Sequence, residues 1–72
     1  MKVSNPQLIA STRRELGYTQ TTFAALVGVT QQYVSLLESG ADTDCSERVA
    51  LAITRSLGLE PGDVFTEPEA TR

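Results

Sequence analysis

The sequence predicts a compact all-α domain of five short helices, with a helix-turn-helix formed by the second and third. Three observations lead there. Glycines at 17, 28, 40 and 58 divide the chain into segments of helical length. Within each segment apolar residues recur at spacings of three and four, the repeat of one helix face. Residues 19–40, TQTTFAALVGVTQQYVSLLESG, put small, apolar and turn-forming residues where two helices meeting at a sharp turn require them.

Residues 1–5 read as a short lead. Asn5 is the expected N-cap of the first helix, with Pro6 at its first position, where a missing amide costs nothing. Leu8, Ile9, Thr12 and Leu16 are its expected inner face. Thr19 caps the second helix, because its hydroxyl can accept from a free amide of the first turn. Phe23, Ala24 and Val27 form the buried stripe, and Ala24 is small because the third helix crosses there. Gly28 stops the helix and supplies the positive φ of the turn. Thr30 caps the third helix, whose inward face is Val34 and Leu37, joined by Val29 from the turn. Residues 41–45 are a loop. Asp44 or Ser46 caps the fourth helix, Asp44 with Glu47 making a capping-box-like pair. Val49, Ala50, Ile53 and Leu57 give that helix its core stripe, and Pro61 opens a short fifth helix with Val64 and Phe65 packing inward. The domain is expected over residues 1–66, with 67–72 a flexible acidic tail. A helical hairpin with the same core and no nucleic-acid partner satisfies the same apolar pattern.

The apolar faces leave Gln31, Gln32, Ser35 and Leu36 pointing outward from the third helix. Gln31 and Gln32 stand at its N-terminal end, the end that meets base edges in a DNA-binding helix-turn-helix. A glutamine amide donates and accepts at once, which matches N7 and N6 of adenine in the major groove; Leu36 suits a thymine methyl. These four are the candidate base readers. The plainer alternative is two solvated first-turn glutamines and an ordinary surface leucine. Gln20, with the free amides that start the second helix, is placed to hold a phosphate. Thr30, Tyr33 and Arg14 are the other backbone candidates, Tyr33 being equally readable as a half-exposed packing residue.

These residues carry a resemblance. The chain resembles the Cro and CI-type helix-turn-helix domains of phage repressors and related bacterial regulators, the lambda-repressor-like fold. Thr19-Gln20, Ala24, Val27-Gly28-Val29-Thr30, Val34-Ser35, Leu37-Glu38 and Gly40 stand where that family's pattern puts them. Thr30-Gln31-Gln32 is similar to the start of the recognition helix in some lambdoid repressors, and the likeness runs over roughly residues 8–65. The resemblance implies an Arg13–Glu38 bridge tying the first helix to the third. Read as an exposed pair, it would contribute only ~0–1 kcal/mol. Many relatives carry lysine or arginine just after the glycine at the place of Gly40. Here the loop reads Ala41, Asp42, Thr43, Asp44, a departure that weakens the usual phosphate contact.

Length and composition bound the rest. A chain of 72 residues makes one small domain, whose core is marginal without close helix packing or oligomerisation. The lone cysteine, Cys45, allows no internal disulfide and fits a cytoplasmic protein of a bacterium or of a phage-infected host. With no histidine, a zinc site and a His-based dyad are excluded, and neither metal nor cofactor is expected. No apolar run approaches the ~20 residues of a membrane span, and no secretory signal is expected. The net charge is −3, unevenly spread. Up to Leu59, Lys2, Arg13, Arg14, Arg48 and Arg55 balance Glu15, Glu38, Asp42, Asp44 and Glu47. The acidic excess lies beyond, in Glu60, Asp63, Glu67 and Glu69 against Arg72. Nothing supplies a base, nucleophile and orienting group, so no enzyme is expected.

The sequence therefore points to a regulator that binds a double-stranded DNA operator, with no small-molecule ligand and no membrane partner. The alternative is a protein-interaction module on the same fold, an antitoxin or antirepressor, which the acidic loop and tail favour. With few cations available, useful affinity calls for a homodimer, assembled on DNA. Residues 59–65 are the candidate pairing surface, unless Val64 and Phe65 close the subunit's own core.

Overall fold

The computed structural model describes residues 1–66, so the acidic tail expected over 67–72 lies outside the described residues. The elements run β1 (Lys2–Val3), α1 (Pro6–Glu15), α2 (Gln20–Val27), α3 (Gln31–Ser39), α4 (Glu47–Leu57), α5 (Pro61–Val64) and β2 (Phe65–Thr66). All five expected helices are present.

The helix starts follow side-chain capping. Asn5, Thr19, Thr30 and Ser46 accept from the backbone N–H of Leu8, Thr22, Tyr33 and Val49 respectively. Each bond satisfies one of the amides that a helix leaves free at its first turn. Of the two caps open for α4, Ser46 is the one used. The Asp44 carboxylate instead lies 3.5 Å from Lys2 Nζ.

Phe23, Ala24 and Val27 of α2 meet Val34 and Leu37 of α3 in one buried cluster with Ile9, Cys45, Val49, Ala50, Ile53, Leu57, Val64 and Phe65. The helix-turn-helix thus shares a single core with α1, α4, α5, β2 and the loop residue Cys45. Val64 and Phe65 are 0% and 3% exposed. They close the subunit's own core, so they are not the pairing surface that residues 59–65 suggested. Thr54, also buried, donates its hydroxyl to the Ala50 carbonyl at 3.1 Å, which lets a polar side chain sit inside without an unmet donor.

Two expectations are corrected. Leu16, expected on the inner face of α1, is 50% exposed. The helix has already ended at Glu15, and Leu16 is its C-cap, where the chain turns away from the core. Ile9 is buried as expected, with Ala10 and Arg13 beside it, while Leu8 and Thr12 are half-buried. The lead over residues 1–5 is also more than a lead. β1 pairs antiparallel with β2, Lys2 opposite Thr66 and Val3 opposite Phe65. On its other side Val3 N–H donates to the Thr43 carbonyl at 2.9 Å, and Cys45 N–H donates to the Met1 carbonyl at 3.0 Å. The N-terminal segment therefore joins the loop after α3 to the end of α5.

Candidate nucleic-acid interface

The turn between α2 and α3 sets the geometry of the site. Gly28 has φ +89°, ψ 32°, the left-handed conformation that costs an L-residue energy. A Cβ built there would meet nothing within 4 Å, so glycine is required by backbone conformation and not by crowding. Val29 N–H and Gly28 N–H both donate to the Ala24 carbonyl, at 3.0 and 2.8 Å, locking the turn. Ala24, 3% exposed, sits among the residues where α2 meets α3.

With Val34 and Leu37 turned inward, Gln31, Gln32 and Leu36 are exposed and Ser35 half-buried. These four line one shallow open depression on the surface of α3. Leu36 is 45% exposed, an apolar spot in an otherwise polar strip. Thr30 spends its hydroxyl on the cap of α3, at 3.1 Å from Tyr33 N. Gln20 begins α2, where the amides of the first turn precede the first intrahelical bond, from Phe23 N–H to the Thr19 carbonyl. Arg14 is exposed in the last turn of α1.

Tyr33 is half-buried, packed on the core, and its hydroxyl donates to the Asp44 carbonyl at 3.2 Å. Burial pushes its phenol above the ordinary range, and Cys45, Asp42 and Asp44 add to that. Its packing role is thus plain, and its hydroxyl anchors the loop after α3. Burial likewise pushes the Cys45 thiol up, partly offset by the Met1 ammonium and reinforced by Asp44 and Asp42. Cys45 is a filler of the core.

Beneath the exposed strip of α3 lies a polar network. Arg13 Nε and Nη2 donate to the Glu38 carboxylate at 2.7 and 3.1 Å, a bidentate pair, and Arg13 Nη1 donates to the Tyr18 carbonyl at 2.7 Å. The side chains of Arg13 and Glu38 are only 8% and 6% exposed. The bridge is formed, but the value of an exposed pair does not apply to it. Inside a protein the attraction between such charges, and the cost of separating them, are both larger. Gln20 Nε2 donates to Glu38 Oε1 at 3.0 Å, and Gln31 Nε2 donates to Gln20 Oε1 at 2.7 Å. Four side chains from three helices thus run in series from the interior to the surface. The last two links carry no sequence signal. Partners 18 and 11 residues apart meet only because the turn at Gly28 lays α3 across the start of α2, with Gln20 reaching Glu38 near the end of α3 and Gln31 at its start.

The cations are distributed sparsely. Lys2 lies beside Asp44 and Arg13 is committed to Glu38. Arg14, Arg48 and Arg55 are exposed and unpaired among the described residues. Asp42 and Asp44 occupy the loop that follows α3.

Comparison with known proteins places this architecture. The family model described as helix-turn-helix matches residues 9–64. Among solved structures, the chain is similar to the restriction-modification controller protein C.AhdI from Aeromonas hydrophila. The two share 30% identity and a TM-score of 0.75, over 88% of this chain and 94% of that one. It is similar to SinR, the master regulator for biofilm formation, solved in complex with DNA: 26% identity, TM-score 0.73, over 79% and 90% of the two chains. The SinR N-terminal DNA-binding domain from Bacillus subtilis gives 25% identity and a TM-score of 0.76, over 90% and 94%. The P22 c2 repressor shares the fold at 23% identity, TM-score 0.73, over 78% and 83%. No curated protein matches the chain in sequence.

Proposed function

Since the chain belongs to the Cro/CI-type helix-turn-helix family, we propose that it is a transcriptional regulator that binds double-stranded DNA in a sequence-specific manner, of the small repressor or Cro-like kind. The observation that carries this reading is the surface of α3. Gln31, Gln32, Ser35 and Leu36 form one outward strip on a helix whose other face is fully committed to the core. Laid in the major groove, that strip presents two amides, a hydroxyl and an apolar contact to the base edges. Gln20 and the amides at the start of α2 then face the phosphate backbone, where an N-terminal helix end favours an anion. Arg14 supplies a further backbone contact. SinR, solved with DNA, and C.AhdI, a controller protein, support the reading as relatives. Occupation of an operator by such a domain blocks or recruits polymerase.

Few cations mean few phosphates neutralised per subunit, so a single domain binds weakly. Two subunits on half-sites about one helical turn apart, ~34–36 Å, recover affinity. A homodimer assembled on the operator meets that need, with its contact elsewhere than Val64 and Phe65.

One observation favours a second reading, a protein-binding module such as an antitoxin or antirepressor. Asp42 and Asp44 stand in the loop after α3, where they repel phosphate. Selection from a pool of random duplex DNA separates the two. Enrichment of a defined site supports the regulator; a pool with no enrichment after repeated rounds at low salt overturns it.

A further inference from the structure

We propose that the ridge Glu47–Leu51–Arg55 on α4 is a self-complementary contact, through which two copies of this chain pair about a two-fold axis; the inference rests on the DNA-binding reading above, which calls for a second subunit. The buried side of α4 is Val49, Ala50, Ile53, Thr54 and Leu57. Glu47, Leu51 and Arg55 follow one another at intervals of four, so they form one ridge on the helix surface, ~12 Å from end to end. Glu47 and Arg55 are exposed, and neither forms an ion pair among the described residues. Leu51 lies between them and is half-buried. It is not one of the apolar residues packed on the core, as its neighbour Ala52 is.

The two charges taken alone have a plainer explanation. An acid in the first turn and a base in the last suit the helix dipole. The dipole asks nothing of the position midway between. An apolar residue there, with opposite charges one turn to either side, makes a pattern that is its own complement. Turned end for end and laid on itself, the ridge brings Leu51 onto Leu51, and each Glu47 onto Arg55 of the other copy. Two ion pairs then flank one apolar contact, the isologous arrangement of a two-fold dimer. Ridges at intervals of four interdigitate when helices cross at about −50°, the commonest helix packing. Arg48 stands on the neighbouring ridge, at the rim of this contact. Leu26, the most exposed leucine, sits on a helix with no charged residue and offers no such pattern. One helix laid on another buries less than the ~1,200 Å² of stable complexes. The pairing is therefore weak in the free protein and is completed where two half-sites hold both copies together.

Reversing one charge turns both attractions into repulsions, and reversing the other as well restores them. Glu47→Arg and Arg55→Glu are made singly and together, with thermal melts to establish that each is folded. Self-association is measured without DNA by sedimentation equilibrium up to ~1 mM. The unmodified protein should associate, and each single variant should do so about tenfold more weakly or worse. The two single variants mixed in equal amounts should recover the association as a mixed dimer, and so should the double variant. Leu51→Gln leaves both helix ends alone and carries the test should a charge reversal unfold the chain; it too should weaken association about tenfold. If the charges serve only the helix dipole, each single variant melts lower while association is unmoved, and the proposal is overturned. A mixture as weak as its components overturns it, as does an unchanged Leu51→Gln protein or an unmodified protein that stays monomeric to ~1 mM. None of these results touches the DNA-binding reading, which fails separately if a random pool yields no enriched duplex.

Discussion

Replacing Arg13 by methionine keeps much of the aliphatic volume and removes the guanidinium. The Glu38 carboxylate, 6% exposed in its side chain, then retains a single donor, Gln20 Nε2. The Tyr18 carbonyl loses the Arg13 donor that meets it at 2.7 Å. Leaving one member of a buried pair without its partner costs ~3–5 kcal/mol. At ~0.05–0.15 kcal/mol per residue, a domain of this length has only about 4–11 kcal/mol in total. The variant should therefore lose about a quarter or more of its stability. At ~4–8 °C per kcal/mol, its melting temperature should fall by about 12 °C or more. Urea denaturation with an unchanged m-value gives the free energy directly. A double variant, Arg13→Met with Glu38→Leu, removes both charges and should recover most of the loss, because an apolar replacement of a whole buried pair is often neutral. Were Arg13→Met to cost under ~1 kcal/mol, the pair would have only the worth of a surface bridge, and the reasoning from its burial would be refuted.

Gly28→Val should cost ~1–3 kcal/mol and Gly28→Ala less, since the penalty is the positive φ and a Cβ meets open space; a melt of Gly28→Val that matches the unmodified protein refutes this. With Arg13 and Lys2 engaged internally, about two or three phosphates should be neutralised per subunit, giving a slope of log K against log salt near −2 to −3 for a single half-site; a slope steeper than −5 contradicts the cation placement. Alkaline stability should fall in two stages. Folded Cys45 and Tyr33 hold their protons to higher pH than the unfolded chain does, so stability is full at neutral pH and declines as pH rises past ~8.5 for the thiol and ~10 for the phenol. Thermal melts from pH 7 to 10.5 read this out, and Cys45→Ala should flatten the first stage; a flat profile in the unmodified protein refutes both shifts.

The helices were legible because each announces its own boundaries locally. Thr19, Thr30 and Asn5 cap within three residues of themselves, and the turn at Gly28 follows from one residue's backbone freedom. The outward strip on α3 follows from the inward one by elimination. What could not be read depends on chain segments far apart. β1 and β2 are two residues each, too short for an alternation pattern, and pair only because α5 carries Phe65 back beside Val3. Arg13 stands one turn after the inward Ile9, but its charge reads as a surface group until its partners are known. Its burial is decided by Glu38, 25 residues away, and by the Tyr18 carbonyl. Leu16 misleads for the opposite reason: its spacing is right, but the helix stops before it.

Which face of the domain meets DNA decides everything proposed for α3. The most direct measurement is a nuclear magnetic resonance titration of the protein with the duplex enriched from the random pool. The side-chain amides of Gln31, Gln32 and Gln20, the backbone amides of Gln20 and Thr21, and the Leu36 methyls should show the largest shifts. Lys2, Glu60 and Asp63 on the β1–α5 side should stay unmoved. Shifts centred on β1 and α5, with the α3 glutamines unchanged, would contradict the assignment of α3 as the helix that reads the groove.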